Sequence, residues 1–500
     1  MKKLSLFFLL IAFFLKAAGQ EEDYKVKPAV VFPIIDSLDI QLLNPTFLGN
    51  SERNYYGNEA PTRLDVIWKF YLGKGRTTIS RRKGDRIWAG AGWTGQPLLF
   101  TEKGRLMIVQ GAFDHHLYKI DVEKLEPVWK YKYDDVVKGT GTIWENLFTD
   151  TPENAYVVLQ GSRLGVDKYL DTRHVPSYRG ISLISGKELW RHDSKWTDSY
   201  SRDVDASALI LNDTAYIGLE NGLFTVFDPD YKKAYLKDGM LQPRIYYQEK
   251  LYEKADVAKH KFNIVTEASP CLLGDRIYVS SGSGHVYGYN MVSDSIDWDF
   301  YIGSDMDGSP VVTSDSCLIV TVEKQYIEGK GGVFKLDPSK KPDESVVWYF
   351  PTQNKDYASW EGGVIGSVAV NDRYVPDSAA HLAAFAAIDG YLYVVDHQTV
   401  DTSKMATGPD NKTLHPTPKV VFKRKTGPSI STPIFVNDKL IVAGYGFIYL
   451  FRYDDDLNFE LLDRRPGQFE STPVTHDGKI YIPCRDGYLY CYGEKDKREN

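Results

Sequence analysis

Ser431-Thr432-Pro433 is followed forty residues later by Ser471-Thr472-Pro473, and the same opening recurs as Ala268-Ser269-Pro270 and Gly308-Ser309-Pro310. Looser copies stand at Thr94-Gly95-Gln96-Pro97, Asp205-Ala206-Ser207-Ala208 and Ile365-Gly366-Ser367-Val368, and Gly139-Thr140-Gly141-Thr142 fills the long gap between the first and the next. After each opening come a short apolar strand, a turn, a strand ending near an Asp, and a fourth strand carrying an aromatic. A period of this length made of strands predicts a ring of small sheets.

Two further counts support eight units. Glu220-Asn221-Gly222, Ser281-Gly282-Ser283-Gly284, Ile388-Asp389-Gly390 and Arg485-Asp486-Gly487 are glycine-bearing hairpin turns. Alternating third strands follow, such as Leu223–Asp228, Val286–Asn290 and Tyr391–Asp396, with Leu117–Asp121 and Val333–Asp337 in other units. Trp129, Trp190, Trp298, Trp348, Tyr247, Phe422 and Phe459 mark seven fourth strands. The eighth is missing after Tyr492 and is supplied by Val66–Tyr71, an N-terminal strand that closes the ring. The expected fold is an all-β, eight-bladed propeller of four-stranded antiparallel blades over 62–495. Insertions at Arg163–Ser177, Tyr231–Asp256 and Asp401–Pro418 are rim loops, where binding is commonly placed.

The composition suits this reading. Apolar residues make up 43% and charged residues 25% of the chain, and 34 tyrosines fit half-exposed strands. The net charge of −7 argues against nucleic acid as a partner. Met1-Lys2-Lys3, the apolar run Leu4–Leu15 and Ala17-Ala18-Gly19 read as a signal peptide over 1–19, cut before Gln20. That run is too short to span a bilayer, and no cysteine follows the cut for a lipid anchor. An exported, periplasmic or extracellular monomer is expected, with 20–61 as an N-terminal arm across the propeller. Cys271 and Cys317 lie in adjacent units, either as buried thiols or as a disulfide; Cys484 and Cys491 are diagonal neighbours.

Gly180 to Trp190, with Ser185-Gly186 before the Trp, resembles the repeat of the pyrroloquinoline-quinone-like (PQQ-like) propellers, in which that Trp docks between blades. The resemblance runs from Trp68 to Tyr492. It implies one of two things: a quinone- and calcium-dependent alcohol or sugar dehydrogenase, or a cofactor-free scaffold such as the lipoprotein that assists outer-membrane protein assembly. The adjacent cysteine pair common in the dehydrogenases is absent, as is a Cys-x-x-Cys-His haem site. The expectation is therefore a non-catalytic binding or assembly scaffold for a protein or glycan of the cell envelope, without cofactor. The dehydrogenase with PQQ and calcium is the alternative.

Aligned on their openings, the units place Thr94, Asp205, Glu267, Asp307, Ile365, Ile430 and Glu470 at one depth of the axis. Asp205, Glu267, Asp307 and Glu470 form a candidate ring of carboxylates at the channel mouth. Such a ring must be protonated, hydrated or bridged by a cation. Glu267 and Asp307 are the candidate calcium ligands, since calcium takes oxygen donors, and Asp307 is the one weak candidate for a base. Asp305 and Asp307 resemble the Asp-x-Asp near the base of quinoprotein dehydrogenases. Acids here also solvate channels without any ligand. Trp93, Trp144 and Trp360 are a candidate aromatic rim. His115-His116 reads as a turn, His285 and His381 lack partners at ligand spacing, and the basic run Arg76–Arg86 reads as a loop.

Overall fold

Seven four-stranded sheets and one five-stranded sheet stand around a common axis, every neighbouring pair antiparallel. The computed structural model describes residues 33–80, 83–164 and 174–495; the expected leader and the first part of the arm lie outside them. The innermost strands of blades 1–8 begin at Leu98, Thr142, Leu209, Cys271, Val311, Ala369, Ile434 and Val474. Blade 8 is completed by Asp65–Tyr71, paired with Tyr488–Gly493 through Trp68↔Cys491 and Phe70↔Leu489. This is the predicted closing strand. Among the described residues no helix is long and apolar enough to cross a membrane.

The repeated hydroxyl before each Pro has a definite task. The Ser207 amide donates to Ser269 Oγ (2.9 Å), Ser269 N–H to Ser309 Oγ (2.8 Å), Ser309 N–H to Ser367 Oγ (2.9 Å), and Ser367 N–H to Thr432 Oγ1 (2.9 Å). Gln96 N–H makes the same bond to Thr140 Oγ1. At five of the eight junctions a hydroxyl thus satisfies a buried amide of the neighbouring blade, which in an interior without water has no other partner. The tryptophans form a second, outer belt. Trp129, Trp190, Trp298 and Trp348 donate their indole N–H to the carbonyls of Leu183, Pro229, Lys340 and His397 in the next blade. A Cβ on Gly186 (φ 72°) would stand 2.8 Å from the Trp129 ring, so the turn glycine is required both by the backbone and by the docking indole.

The N-terminal segment enters the axis instead of crossing the outside. Ile40–Asn44 pairs with the innermost strand of blade 1, Ile40↔Glu102 to Asn44↔Leu99. The chain then crosses the channel: Ile143 N–H donates to Pro45 O, Leu272 to Ser51 O, Val312 to Glu52 O and Thr475 to Tyr56 O. Tyr56 Oη accepts from Val370 N–H, and Asn437 reaches Asn58 O. Arg53 is wholly buried at its centre. It donates to Pro270 O and Phe47 O (both 2.8 Å), Thr46 Oγ1 (2.7 Å) and Ser207 O (3.2 Å). The segment is a plug that closes the end of the channel where the innermost strands finish.

Other features differ from expectation. The basic run is a hairpin, Lys74–Ser80 with Gly84–Ala89. The insertion Asp401–Pro418, in blade 6, extends two strands into the long hairpin Tyr391–Thr407/Leu414–Lys425, whose His415 packs on Phe334 and Tyr349 of blade 5. The four cysteines, by contrast, agree with expectation: all are buried free thiols, the first of the two states open to Cys271 and Cys317.

Truncating Arg53 leaves several buried acceptors unpaired at once. Arg53→Ala is expected to lower the unfolding free energy by about 3 kcal/mol or more, whereas Ser309→Ala, which orphans one amide, costs about 1–2 kcal/mol. Urea unfolding of both variants checks the order, and equal losses would count against the plug as the dominant fastener.

Candidate functional site

At the open end of the axis, where the innermost strands begin, the plug's Phe47 forms the floor of a small cavity. Thr94, Asp205, Glu267 and Asp307 line it with Ser269, Ser309 and Ser367. Its volume is about 10 Å³, room for one water-sized group. Three of the four aligned carboxylates therefore converge. The fourth does not: Glu470 shares the register, but both its oxygens accept from Arg485 NH1 at 2.8 Å, and Tyr445 Oη donates to it at 3.0 Å. Register sets depth, while the neighbouring turn decides where a carboxylate points.

The acids fall into two clusters. Asp205, Glu220 and Glu267 bring oxygens within 4.8 Å of one another, and Asp305, Asp307 and Glu323 do the same. Glu267 and Asp307, the pair expected to share an ion, belong to different clusters. Glu220 and Glu323 come from the turns between second and third strands, which reach the same end of the axis as the strand openings. The Glu220 turn was legible, but its acid was not aligned with the openings; the connection that carries Glu323 was not among the turns read from the sequence.

Lys138, on the approach to blade 2, serves the first cluster. Its Nζ lies 2.7 Å from Asp205, 3.4 Å from Asp203 and 3.9 Å from Glu220, and 5.0 Å above the Trp93 ring. Burial opposes its charge, but Asp205, Glu220 and Asp203 outweigh burial and raise its pKa well above normal. Asp203 is also held by Arg163 (2.9 Å), so its pKa stays low despite burial. Burial pushes Asp205 up to about 7 against the pull of Lys138, and raises Glu220 and Glu267 too. In the second cluster burial and mutual repulsion raise Asp305, Asp307 and Glu323 well above the carboxylate range.

Trp93 donates to Glu267 Oε2 at 2.5 Å and faces Trp360 at 6.2 Å between ring centroids. Trp93 and Thr94 both hold positive φ, 56° and 57°, a backbone state that bulky residues adopt at a cost and that concentrates at functional sites. Ile365, Ile388 and Ile430 pack with these rings, Tyr357 and Tyr445, so the mouth is acidic over blades 3–5 and aromatic opposite. Trp144 is not part of this rim. It follows its opening instead of preceding it, and is buried in the core between blades 2 and 3 with its N–H on Asp213.

A third cluster lies where the innermost strands end. Asp372 Oδ1 accepts from His381 Nδ1 and His397 Nε2, both at 2.9 Å, and its Oδ2 from Ser314 N–H. His381 therefore has partners after all, as does His285, 2.6 Å from Asp299. The turn at Asp389 pairs Leu382 with Asp396, so the next residues out, His381 and His397, must face each other. Burial resists, but the His397 bond holds Asp372 at about 2. On the other side of the same ring Lys335 Nζ stands 3.2 Å from His397 Nδ1 and donates to His397 O at 3.0 Å, so this network fastens blade 5 to blade 6. His115, with φ 73°, lies in a turn, and His116 starts a strand.

Carboxylates whose pKa is raised bind protons in the folded chain that the unfolded chain has released, so stability falls as pH rises from about 4 through their folded values, near 7 for Asp205. The melting temperature is expected to rise as pH drops from 8 to 5.5. In Asp305→Asn/Asp307→Asn that slope should flatten and the melting temperature at pH 8 should increase. A pH-independent melting temperature would mean that the acids are hydrated and unperturbed.

No family model and no curated protein matches the chain. Among solved structures it is similar to the quinohemoprotein alcohol dehydrogenase of Comamonas testosteroni, with 11% identity, TM-score 0.57, and coverage of 92% of this chain and 82% of that one. It is also similar to a europium-containing methanol dehydrogenase, with 12% identity, TM-score 0.55 and coverage of 90% and 91%. BamB from Moraxella catarrhalis aligns at 11% identity and TM-score 0.49, over 87% of this chain and 99% of that one. At such identities the likeness concerns architecture, and the chain has the eight-bladed PQQ-like propeller fold.

Proposed function

We propose that this chain is an exported, non-catalytic binding scaffold whose ligand site is the acidic mouth of the propeller axis and whose partner is a protein or glycan of the cell envelope. The observation that carries this reading is the plugged channel: it ends in a cavity of about 10 Å³ walled by carboxylates. A rigid ring with a small, charged, one-ended pocket and aromatic residues at the rim selects a protruding group and has no room to enclose a substrate.

The dehydrogenase alternative requires a tricyclic quinone bearing three carboxylates. The residues present do not fit it. Lys138 and Arg163 are spent on Asp203 and Asp205, and Arg485 on Glu470, while Glu220, Glu267, Asp305, Asp307 and Glu323 would repel the anion. Calcium by itself meets suitable oxygen donors in the second cluster, Asp305, Asp307 and Glu323, whereas Lys138 already holds Asp205 in the first. Among the described residues no side chain hydrogen-bonds to Asp307 to orient it, as a general base needs.

Addition of PQQ, with and without calcium, is expected to leave the tryptophan fluorescence unchanged and to give no alcohol-dependent dye reduction; calcium-dependent uptake with turnover would overturn the scaffold reading. A photoactivatable residue at Phe262, exposed beside the mouth, should yield a discrete envelope adduct, and one at Val292, exposed on the opposite side, should not.

A further inference from the structure

The two carboxylate clusters of the mouth differ in one respect. The first borders an ammonium that the chain itself provides: Lys138 Nζ lies 2.7 Å from Asp205 and 3.9 Å from Glu220 of that cluster and 3.4 Å from the adjoining Asp203, and is capped by Trp93 at 5.0 Å. The second has the same make-up, three carboxylates with oxygens within 4.8 Å. Among the described residues, however, no basic side chain pairs with Asp305, Asp307 or Glu323. Asp305 is 5% and Glu323 3% exposed. Asp305 Oδ2 accepts from Asn263 Nδ2 at 2.6 Å, while its Oδ1 is buried without a hydrogen-bond partner. A buried carboxylate oxygen left in that state is costly unless a donor reaches it.

We propose, building on the scaffold reading, that Asp305, Asp307 and Glu323 bind a primary alkylammonium group presented by the ligand. Three features select that chemistry. Three carboxylates converging on one point match the three N–H donors of an ammonium head, as the Lys138 site demonstrates within the same mouth. Asp307 is also a wall of the cavity of about 10 Å³ that it lines with Asp205 and Glu267, so the space open at this carboxylate takes a compact –NH₃⁺ head and is too small for a planar guanidinium. Trp93 and Trp360, 6.2 Å apart, offer indole faces to a cation and its methylene stem; a hydrated metal ion gains nothing from them. The group is supplied either by a lysine of a polypeptide or by a free amine.

Calorimetric titration of the full chain tests this with four probes: a blocked Gly-Lys-Gly peptide, its Arg counterpart, cadaverine and calcium chloride. Binding of the lysine peptide or cadaverine is expected, with the Arg peptide at least tenfold weaker, and the one that binds better identifies the source. Asp305→Asn/Asp307→Asn should weaken binding at least tenfold without lowering the melting temperature, and Glu460→Gln, on an outer strand, should not change it. If the double variant fails to fold, Asp307→Asn alone and competition by methylamine on the unmodified chain serve instead. Calcium binding alone, lost in the same variants, would overturn the inference in favour of a metal site. Silence from all four probes would overturn it too, and in both cases the scaffold reading would stand, since only quinone uptake with turnover defeats that reading.

Discussion

Arg53 carries a full charge into the middle of the ring and meets no carboxylate there; its partners are three backbone carbonyls and a hydroxyl. Burial lowers its pKa to about 10, so it remains a cation. The arrangement holds because two of those carbonyls, Ser207 and Pro270, stand where blades 3 and 4 enter the axis with no further strand to pair with, and the third, Phe47, belongs to the plug itself. An eight-bladed ring is too wide for its own side chains to fill its centre, and the N-terminal segment supplies what the blades lack. Leu48 and Tyr56 are buried with Arg53, so the plug is both core and hydrogen-bond partner.

The acidic mouth follows from this closure. A through-channel would hydrate its carboxylates from both ends, and they would sit near their ordinary pKa values. With Phe47 as a floor, Asp205, Glu267 and Asp307 face a dead end, and burial and like charge act together on them. The fold bears the cost of that repulsion because two belts of inter-blade hydrogen bonds fasten the ring independently of the mouth. Stability is placed in the walls and at the floor, while the strained pair Trp93 and Thr94 and the crowded acids are confined to one rim, the distribution expected when a site is kept reactive at the expense of local stability.

What could be read from the chain depended on whether the determinant was local. The hydroxyl before each Pro, the glycine turns and the fourth-strand Trp repeat within one blade, so the blade count and the closing strand at Asp65–Tyr71 were legible. Asp205, Glu267 and Asp307 were legible as a ring because register alone sets their depth. Glu470 shares that register but is drawn away by Arg485 from a turn fifteen residues on, and Trp144 lies on the wrong side of its opening; neither fact shows in a register. Lys138, Glu220 and Glu323 were missed because they approach the axis from connections instead of strand starts. The plug was missed because Gln41 to Asn54 has polar, loop-like composition, and its burial depends on acceptors spread over distant blades. His381 and His397 were within reach, since the turn at Asp389 already dictates that they oppose each other.

The closing strand and the plug belong to one stretch, residues 40–71, and that dictates an order of assembly. The seat of Arg53 is built from blades 3 and 4 together with the plug itself, and Thr475, which holds Tyr56, lies in blade 8. The segment made early in synthesis therefore has no place to go until the end of the chain exists. It must wait, and when it docks it completes blade 8 and seals the axis in the same event. Pro33–Leu38 packs beside Pro152–Asn154 on the face opposite the acids, so a tether joined to this helix would hold the molecule with its open mouth pointing away from the attachment.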